Sequence, residues 1–487
     1  MSKTHSSFLS NLLWRFLERS GAQGVTFIVS IVLARILGPE VYGTIALVTV
    51  FTSILQVFID SGMGTALIQK KDADDLDFSS IFFFNIAMCL ILYVAVFLAS
   101  PLIAEFYKRP ELTPVIRVLS LTLVISGVKN VQQAYVSRHL LFRKFFFATL
   151  GGTIGAAVLG IYMAYRGYGV WALVAQHLFN TLVDTIILWI TVKWRPKLMF
   201  SMKRLQALFQ YGWKLLVSAL LDRGYTELRQ LIIGRMYSSE DLAFYNKGNQ
   251  FPNTIVTNIN SAIDSVLLPT MAREQDNRGR VKDMTRRAIK TSTYIMAPLM
   301  IGLAVCATPV VHLLLEAEWM PCVPFLRIFC IAYMFFPIHT ANLNAIKAMG
   351  RSDLFLKLEI FKKVIGFAVL LSTMWFGPLV MAYSVLFTSI ISQVINSWPN
   401  RKLLNYPYFE QLKDIMPGIL LALFMGAVVY AVQFLGLSDW LTLLIQIPIG
   451  AAIYIAGSKL LHLDSFEYVM GIAKGYLKNR SESEETK

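Results

Sequence analysis

Apolar runs of about 20 residues recur along this chain, each long enough to cross roughly 30 Å of hydrocarbon as a helix. The strongest are Phe78 to Ala104, Ile289 to Leu315, Leu379 to Trp398, Ile415 to Leu435 and Trp440 to Leu461. No other feature limits the fold so severely. Within a bilayer every backbone N–H and C=O must be satisfied by the protein itself, so only helices or a closed barrel can span it. Alternating barrel segments are absent, which leaves helices. The composition agrees, with 56% of the residues hydrophobic and 15% charged. The N-terminus has no short apolar core followed by a small-residue cleavage site, so the first span is expected to direct insertion.

Two segments are too polar to be counted on hydropathy alone. Leu112 to Tyr135 carries Arg117, Lys129, Gln132 and Gln133, and Leu205 to Ile233 carries Lys214, Asp222, Arg223, Glu227 and Arg229. Loop charge decides both. With each counted as a span there are about fourteen helices, and the connections on the side of the termini hold most of the basic residues. Those connections include Arg143 and Lys144, Lys193 to Arg204, Arg273 to Arg287, Lys347 to Lys363, and Arg401 to Lys413. The opposite connections are short and carry few cations, among them Lys108, Arg109, Arg166, Lys247 and Arg327. The positive-inside rule therefore places both termini in the cytoplasm.

The net charge of +15 follows from those loops, which face an anionic leaflet. No basic soluble domain is available for nucleic acid. The four cysteines, Cys89, Cys306, Cys322 and Cys330, make no CxxC or metal-ligand spacing and read as apolar packing. The end of the chain, from Tyr476 onward, reads as a solvated cytoplasmic tail.

An internal repeat organises the rest. Leu33-Ala34-Arg35-Ile36-Leu37-Gly38-Pro39-Glu40-Val41-Tyr42-Gly43 has a faint copy roughly 200 positions later, where Ile233-Gly234-Arg235 leads without a gap to Glu240-Asp241-Leu242-Ala243. Gly24 matches Gly224, Phe51 matches Phe251, and Ile59-x-Ser61 matches Ile259-x-Ser261 in the same register. Each unit holds an even number of spans, so the repeats are parallel, and transporters of that build commonly place substrate between their halves. The expected division is 1–200 and 201–400 as two six-helix lobes, 401–463 as an accessory helix pair, and 464–487 as the tail. The fold class is thus all-α and integral to the membrane, with a central cavity.

The seventh predicted span carries the chemistry. Lys214, Ser218, Asp222, Arg223, Glu227 and Arg229 recur there mostly at three- and four-residue steps. A charge at the bilayer centre costs about 2.5–3.5 kcal/mol on insertion scales, so five of them cannot face lipid. Two readings fit: an internal ladder in which Arg223 pairs with Glu227 at i, i+4, or a water-filled, substrate-facing wall. Asp60 and Asp264, with Gln23, Gln56 and Asn260, would add to a polar lining, and the two carboxylates are candidates for proton or sodium coupling. Arg35 with Glu40 and Arg235 with Glu240 read either as binding charges or as loop-fixing salt bridges. Lys129 would bring a positive charge to the first half or serve structurally. Asp184, with His177 and Asn180, reads as an inter-helix bond or a proton-linked cluster. No Ser-His-Asp order, Gly-rich phosphate loop or HExxH is present, which predicts no catalytic triad, no metal and no cofactor.

The segments ARILGPEVYG at 34–43, FIDSGMGTALIQKKD at 58–72, LLFRKF at 140–145, VLLPTMA at 266–272 and EAEW at 316–319 together resemble the polysaccharide transport family. That family lies within the multidrug/oligosaccharidyl-lipid/polysaccharide exporter superfamily, and the likeness is closest to Wzx-type flippases of exopolysaccharide units. It runs from about residue 10 to 400. The resemblance implies two lobes around a cationic cavity open alternately to each side of the bacterial inner membrane. It implies an undecaprenyl-diphosphate-linked oligosaccharide as substrate, with a polysaccharide polymerase and a chain-length regulator as partners. It transfers no catalytic residue, so the substrate-binding candidates are those of the helices: Arg223, Arg229, Lys214, Asp222, Glu227, Arg35, Arg235 and Lys129, with Asp60 and Asp264 for coupling. Arg and Lys suit phosphate oxygens. Moving two negative charges outward down an inside-negative potential releases roughly 4.6 kcal/mol per 100 mV. The rival readings are a cation-coupled exporter of small molecules and a membrane polysaccharide polymerase. The first wants a carboxylate-rich cavity and the second a large outer loop or catalytic carboxylates.

Overall fold

The computed structural model describes residues 3–60, 64, 67–68, 70, 72–139 and 141–471. For residues 3–20, 60, 142–143, 211, 214–215, 262, 265 and 352 it describes the backbone alone. The described chain is helical and divides into two compact units, Met1–Ala243 and Phe244–Lys487. In order, the helices of the first unit are α1 (Lys3–Asp60), α2 (Asp75–Phe106), α3 (Leu112–Leu119), α4 (Leu121–Arg138), α5 (Phe142–Tyr165), α6 (Val170–Thr191) and α7 (Met202–Met236). α8 (Ser239–Arg273) begins in the first unit and continues into the second. The second unit goes on with α9 (Arg278–Val305), α10 (Ala307–Leu315), α11 (Val323–Met334) and α12 (Phe336–Ala348). It ends with α13 (Ser352–Thr373), α14 (Pro378–Leu403), α15 (Tyr408–Ala431) and α16 (Asp439–Leu460). Ten stretches among the described residues are long and apolar enough to cross a membrane. The weak segment Leu112–Arg138 is one of them, whereas the charges of Met202–Met236 keep α7 out.

The first stretch of the repeat now has a physical explanation. α1 is two helical stretches, because Gly38 sits at φ 71°, ψ 174°, a conformation that only glycine adopts without strain. Pro39 follows, and its fixed φ suits the first turn of a new helix. Gly43 is required for a different reason. A Cβ there would lie 1.9 Å from the Ser239 carbonyl oxygen and 2.3 Å from its carbon, so α1 and the start of α8 touch backbone to backbone. At the matched register in the second copy the chain breaks again, between Met236 and Ser239, with Tyr237 extended.

One end of the first unit is locked by a charged and aromatic cluster. Asp77 is fully buried and accepts from Lys70 Nζ at 2.6 Å, with Arg204 Nη1 at 3.6 Å. It also closes a capping box with Asp74, satisfying two orphan amides at the start of α2. The Trp194 indole donates to Asp75 Oδ1 at 3.1 Å, and its ring packs among Phe78, Phe82 and Tyr135. Asp77→Ala is expected to destabilise the protein by about 2 kcal/mol through the lost cap and buried ion pairing. Asp77→Asn should recover part of that. Thermal unfolding of the detergent-purified protein checks both.

In the second unit, buried amides do the joining. Asn342, Asn400 and Gln411 have no exposed surface. Asn342 Oδ1 accepts from Asn400 Nδ2 at 2.6 Å and from Gln411 Nε2 at 3.1 Å, and Asn342 Nδ2 donates to Gln411 Oε1 at 2.8 Å. This ties α12, α14 and α15 together. Farther along, Tyr294 of α9 donates to Ser458 Oγ and Tyr454 of α16 donates to the Tyr294 carbonyl, each at 2.8 Å. α9 and α15 approach closely where Gly426 faces Ile301, and a Cβ there would lie 2.6 Å from Ile301 Cγ2.

Many of the cations read as lying in connections lie within helices, among them Lys144 in α5, Lys282 to Arg287 in α9 and Lys357 to Lys363 in α13. Lys247 and Arg327 do not sit in outer connections but inside helices α8 and α11. Lys247 is buried, donates to Gln250 Oε1 at 3.1 Å and lies 5.8 Å from the Trp319 ring centre. Arg327 turns back to the Ala304 carbonyl and the Thr308 hydroxyl, satisfying groups at the α9–α10 junction. Arg327 was misplaced because a lone cation in an apolar run looks like a break, and Lys247 because the polar run Asn246 to Gln250 looks like a loop. The four cysteines are buried and none forms a disulfide.

Candidate functional site: the charged face of α7

α7 starts behind Ser201, whose hydroxyl accepts from the Arg204 amide at 3.4 Å. Its middle carries the charges because the helix period brings residues three and four apart onto one side. Glu227 is the fixed point, only 4% exposed. Its Oε1 accepts from Arg223 Nη2 at 2.9 Å and from the Ser53 hydroxyl of α1 at 3.2 Å. Its Oε2 accepts from Gln230 Nε2 at 2.5 Å. A buried carboxylate is tolerated only when paired and hydrogen-bonded, and these three donors meet that need.

Arg223 is the exposed partner, with 45% of its side chain accessible. A guanidinium has five N–H donors in a planar fork, and the bond to Glu227 uses few of them. The ladder expected at i, i+4 is therefore present, and it presents a cation rather than hiding one. Asp222 is exposed beside it and Arg229 is half-buried. Polar side chains that were not foreseen, Ser53 and Gln230, complete the cluster. Gln230 was legible, one turn from Glu227 on the same helix. Ser53 was not, since its contact spans 174 positions.

The other candidates lie apart from this cluster. Lys129 is bound to Asp184 Oδ2 at 2.9 Å, a mostly buried pair that bridges α4 and α6. Asp184 thus makes an inter-helix bond. Arg35 is exposed at the end of the first stretch of α1. Arg235 is exposed and lies 5.3 Å from the Phe106 ring centre. Among the described residues it forms no ion pair with Glu240, which corrects the expected loop-fixing bridge on that copy. Asp264 accepts from Asn344 Nδ2 at 2.6 Å, joining α8 to α12. Asn260, one turn earlier, is buried, and neither of its amide atoms has a hydrogen-bond partner among the described residues. The side chains of Lys214 and Asp60 lie outside the described residues.

The chain matches the family described as polysaccharide biosynthesis protein over residues 32–324. It is 26% identical to the succinoglycan biosynthesis transport protein of Rhizobium meliloti, over 63% of this chain and 63% of that one, less than two thirds of its length. It is 24% identical to the teichuronic acid biosynthesis protein of Bacillus subtilis, over 83% of this chain and 85% of that one. Its fold is similar to that of the lipid II flippase MurJ in an inward closed conformation. The TM-score is 0.78 at 15% identity, covering 93% of this chain and 99% of the flippase. The resemblance to Wzx-type transporters read from the short motifs is borne out. With its many apolar helices, this chain is a multi-pass membrane protein, and it belongs to the polysaccharide biosynthesis protein family.

Proposed function

We propose that this protein moves a lipid-diphosphate-linked oligosaccharide across the bacterial inner membrane during polysaccharide biosynthesis. The observation that carries the proposal is Arg223, a cation held half-exposed within an apolar protein by the buried Glu227. Such a guanidinium suits a diphosphate, whose oxygens accept its remaining donors. In this reading about fourteen helices cross the membrane, 1–200 and 201–400 form two lobes working by alternating access, and both termini are cytoplasmic. The substrate's negative charge lets the membrane potential contribute to export. Asp264 and Asp60 are the proposed coupling carboxylates, and a polysaccharide polymerase with its chain-length regulator receives the product. The transporter relatives favour this over the polymerase reading, and the basic character of α7 favours it over export of cationic small molecules.

Deleting the gene tests the class directly. Lipid-linked oligosaccharide is expected to accumulate on the leaflet where it is made, shielded from a reagent added outside the cell. Accumulation of translocated but unpolymerised units would identify a polymerase instead. An unchanged lipid-linked pool with impaired efflux of cationic compounds would identify a small-molecule exporter.

A further inference from the structure

Two adjoining cavities in the second unit are built differently from each other. One, about 450 Å³, is lined by Asp283, Arg286, Arg287, Lys290, Asp464 and Tyr468 among others. The second, about 520 Å³, is an apolar trough between α8 and α9, lined by Ile259, Ile263, Val266, Leu267, Ala288 and Ile295. Arg287, Thr291 and Tyr468 belong to both, and there the polar cavity adjoins the apolar one.

The charges of the polar cavity are unequally used. Arg286 is bound to Asp414 at 2.6 Å, and Lys290 to Asp464 at 2.6 Å. The Lys290 ammonium bonded to Asp464 holds that carboxyl below the usual range. Arg287 is exposed and has no carboxylate within ion-pair distance among the described residues, although Asp283 lies one turn away on α9. Its guanidinium instead lies 5.0 Å from the Tyr468 ring centre, an arrangement that orients it without neutralising it. With Arg286 and Lys290 paired, the charges left in the cavity are Arg287 and the Asp283 carboxylate, and Arg287 is the cation whose N–H donors are open to an incoming phosphate.

The sequence fixes the depth of this site. α9 carries its basic residues from Arg278 to Lys290, stays polar through Thr293 and turns apolar from Tyr294, so Arg287 stands about two turns to the polar side of that change. From Arg287 to Ile295 the trough descends about 12 Å along the helix, a length that an acyl chain fills. A small soluble phosphate would leave that trough unfilled.

We infer that these cavities hold one anionic phospholipid, its phosphate at Arg287 and an acyl chain in the trough of Ile263, Val266 and Ile295. The lipid belongs to the leaflet that meets the basic loops. It is a site for a resident membrane lipid, distinct from the charged face of α7. Anionic lipid then acts as an integral part of the second unit, filling a groove that the protein's own side chains leave open.

The test uses the full chain purified in detergent with an equimolar mixture of phosphatidylglycerol and phosphatidylcholine, read by native mass spectrometry. The wild type is expected to retain one phosphatidylglycerol in preference to phosphatidylcholine. Arg287→Ala should lower that retention about tenfold, the loss of one charge-assisted contact. Ala288→Trp, which fills the trough and leaves the arginine, should lower it as well. Arg401→Ala, a cation elsewhere on the chain, should leave it unchanged, and melting curves establish that each variant is folded. Equal retention of both lipids, or of phosphatidylglycerol by wild type and Arg287→Ala, overturns the inference. So does displacement of the lipid by inorganic phosphate alone. Displacement by an equimolar polyprenyl phosphate, with phosphatidylglycerol failing to compete, would assign the groove to the transported lipid and also overturn it. Loss of polymer export is not the readout, so failure here and failure of the proposed function remain distinguishable.

Discussion

Cells carrying Arg223→Ala together with Arg229→Ala are expected to export no polymer, a loss of about 100-fold or more, while the protein remains in the membrane at its normal level. The magnitude follows from charge-assisted hydrogen bonds, each worth about 1.5–3 kcal/mol when a phosphate oxygen loses its arginine partner. Arg223→Lys should fall between the extremes, because a point charge keeps the attraction but not the planar fork. Glu227→Gln separates the two roles of the cluster. It keeps the shape and a hydrogen-bonding group beside Ser53 and Gln230 but releases Arg223 from its ion pair. Export should then drop less than in the arginine variants. Polymer in the medium, lipid-linked intermediate in the membrane and an immunoblot of the protein measure all of this. Normal export from the double arginine variant would remove α7 from the transport path.

The second large effect is structural. Gly43→Val should abolish stable folding of the first unit, at a cost of at least about 3 kcal/mol. The added Cβ meets the Ser239 backbone at 1.9 Å, and backbone cannot swing aside as a flexible side chain would. Even Gly43→Ala should reduce the melting temperature by several degrees. Gly24→Ala in the same helix is the control, since nothing lies within 4 Å of the position a Cβ would take. Alanine also favours helix over glycine by up to about 1 kcal/mol, so that variant should be neutral or stabilising. A Gly43→Val protein with wild-type melting would mean that α1 and α8 do not approach so closely in the membrane.

What could be read from the sequence, and what could not, divides along physical lines. Apolar length and helical period are local properties, so the helices and the charged side of α7 were legible, including the Arg223–Glu227 bond. The break at Gly38-Pro39 was also written locally, although its meaning was not: the motif looked chemical, with Arg35 and Glu40 prominent. The structure instead shows Gly38 and Gly43 serving conformation and close approach. Lys247 was misplaced because the polar run Asn246 to Gln250 reads as a loop and carries no sign of the Trp319 ring that shelters the cation. Contacts such as Ser53 with Glu227 and Lys129 with Asp184 depend on how distant segments pack. One chain without that packing holds no record of them.

The buried amides of Asn342, Asn400 and Gln411 set an order for making the protein. Asn342 and Asn400 are synthesised first, and in hydrocarbon an amide without a partner costs about 1–3 kcal/mol or more. Until Gln411 emerges, α12 and α14 have bonds that only α15 can complete. The second unit therefore matures only once its late helices have been inserted, and a ribosome stalled near residue 400 would leave behind a substrate for quality control.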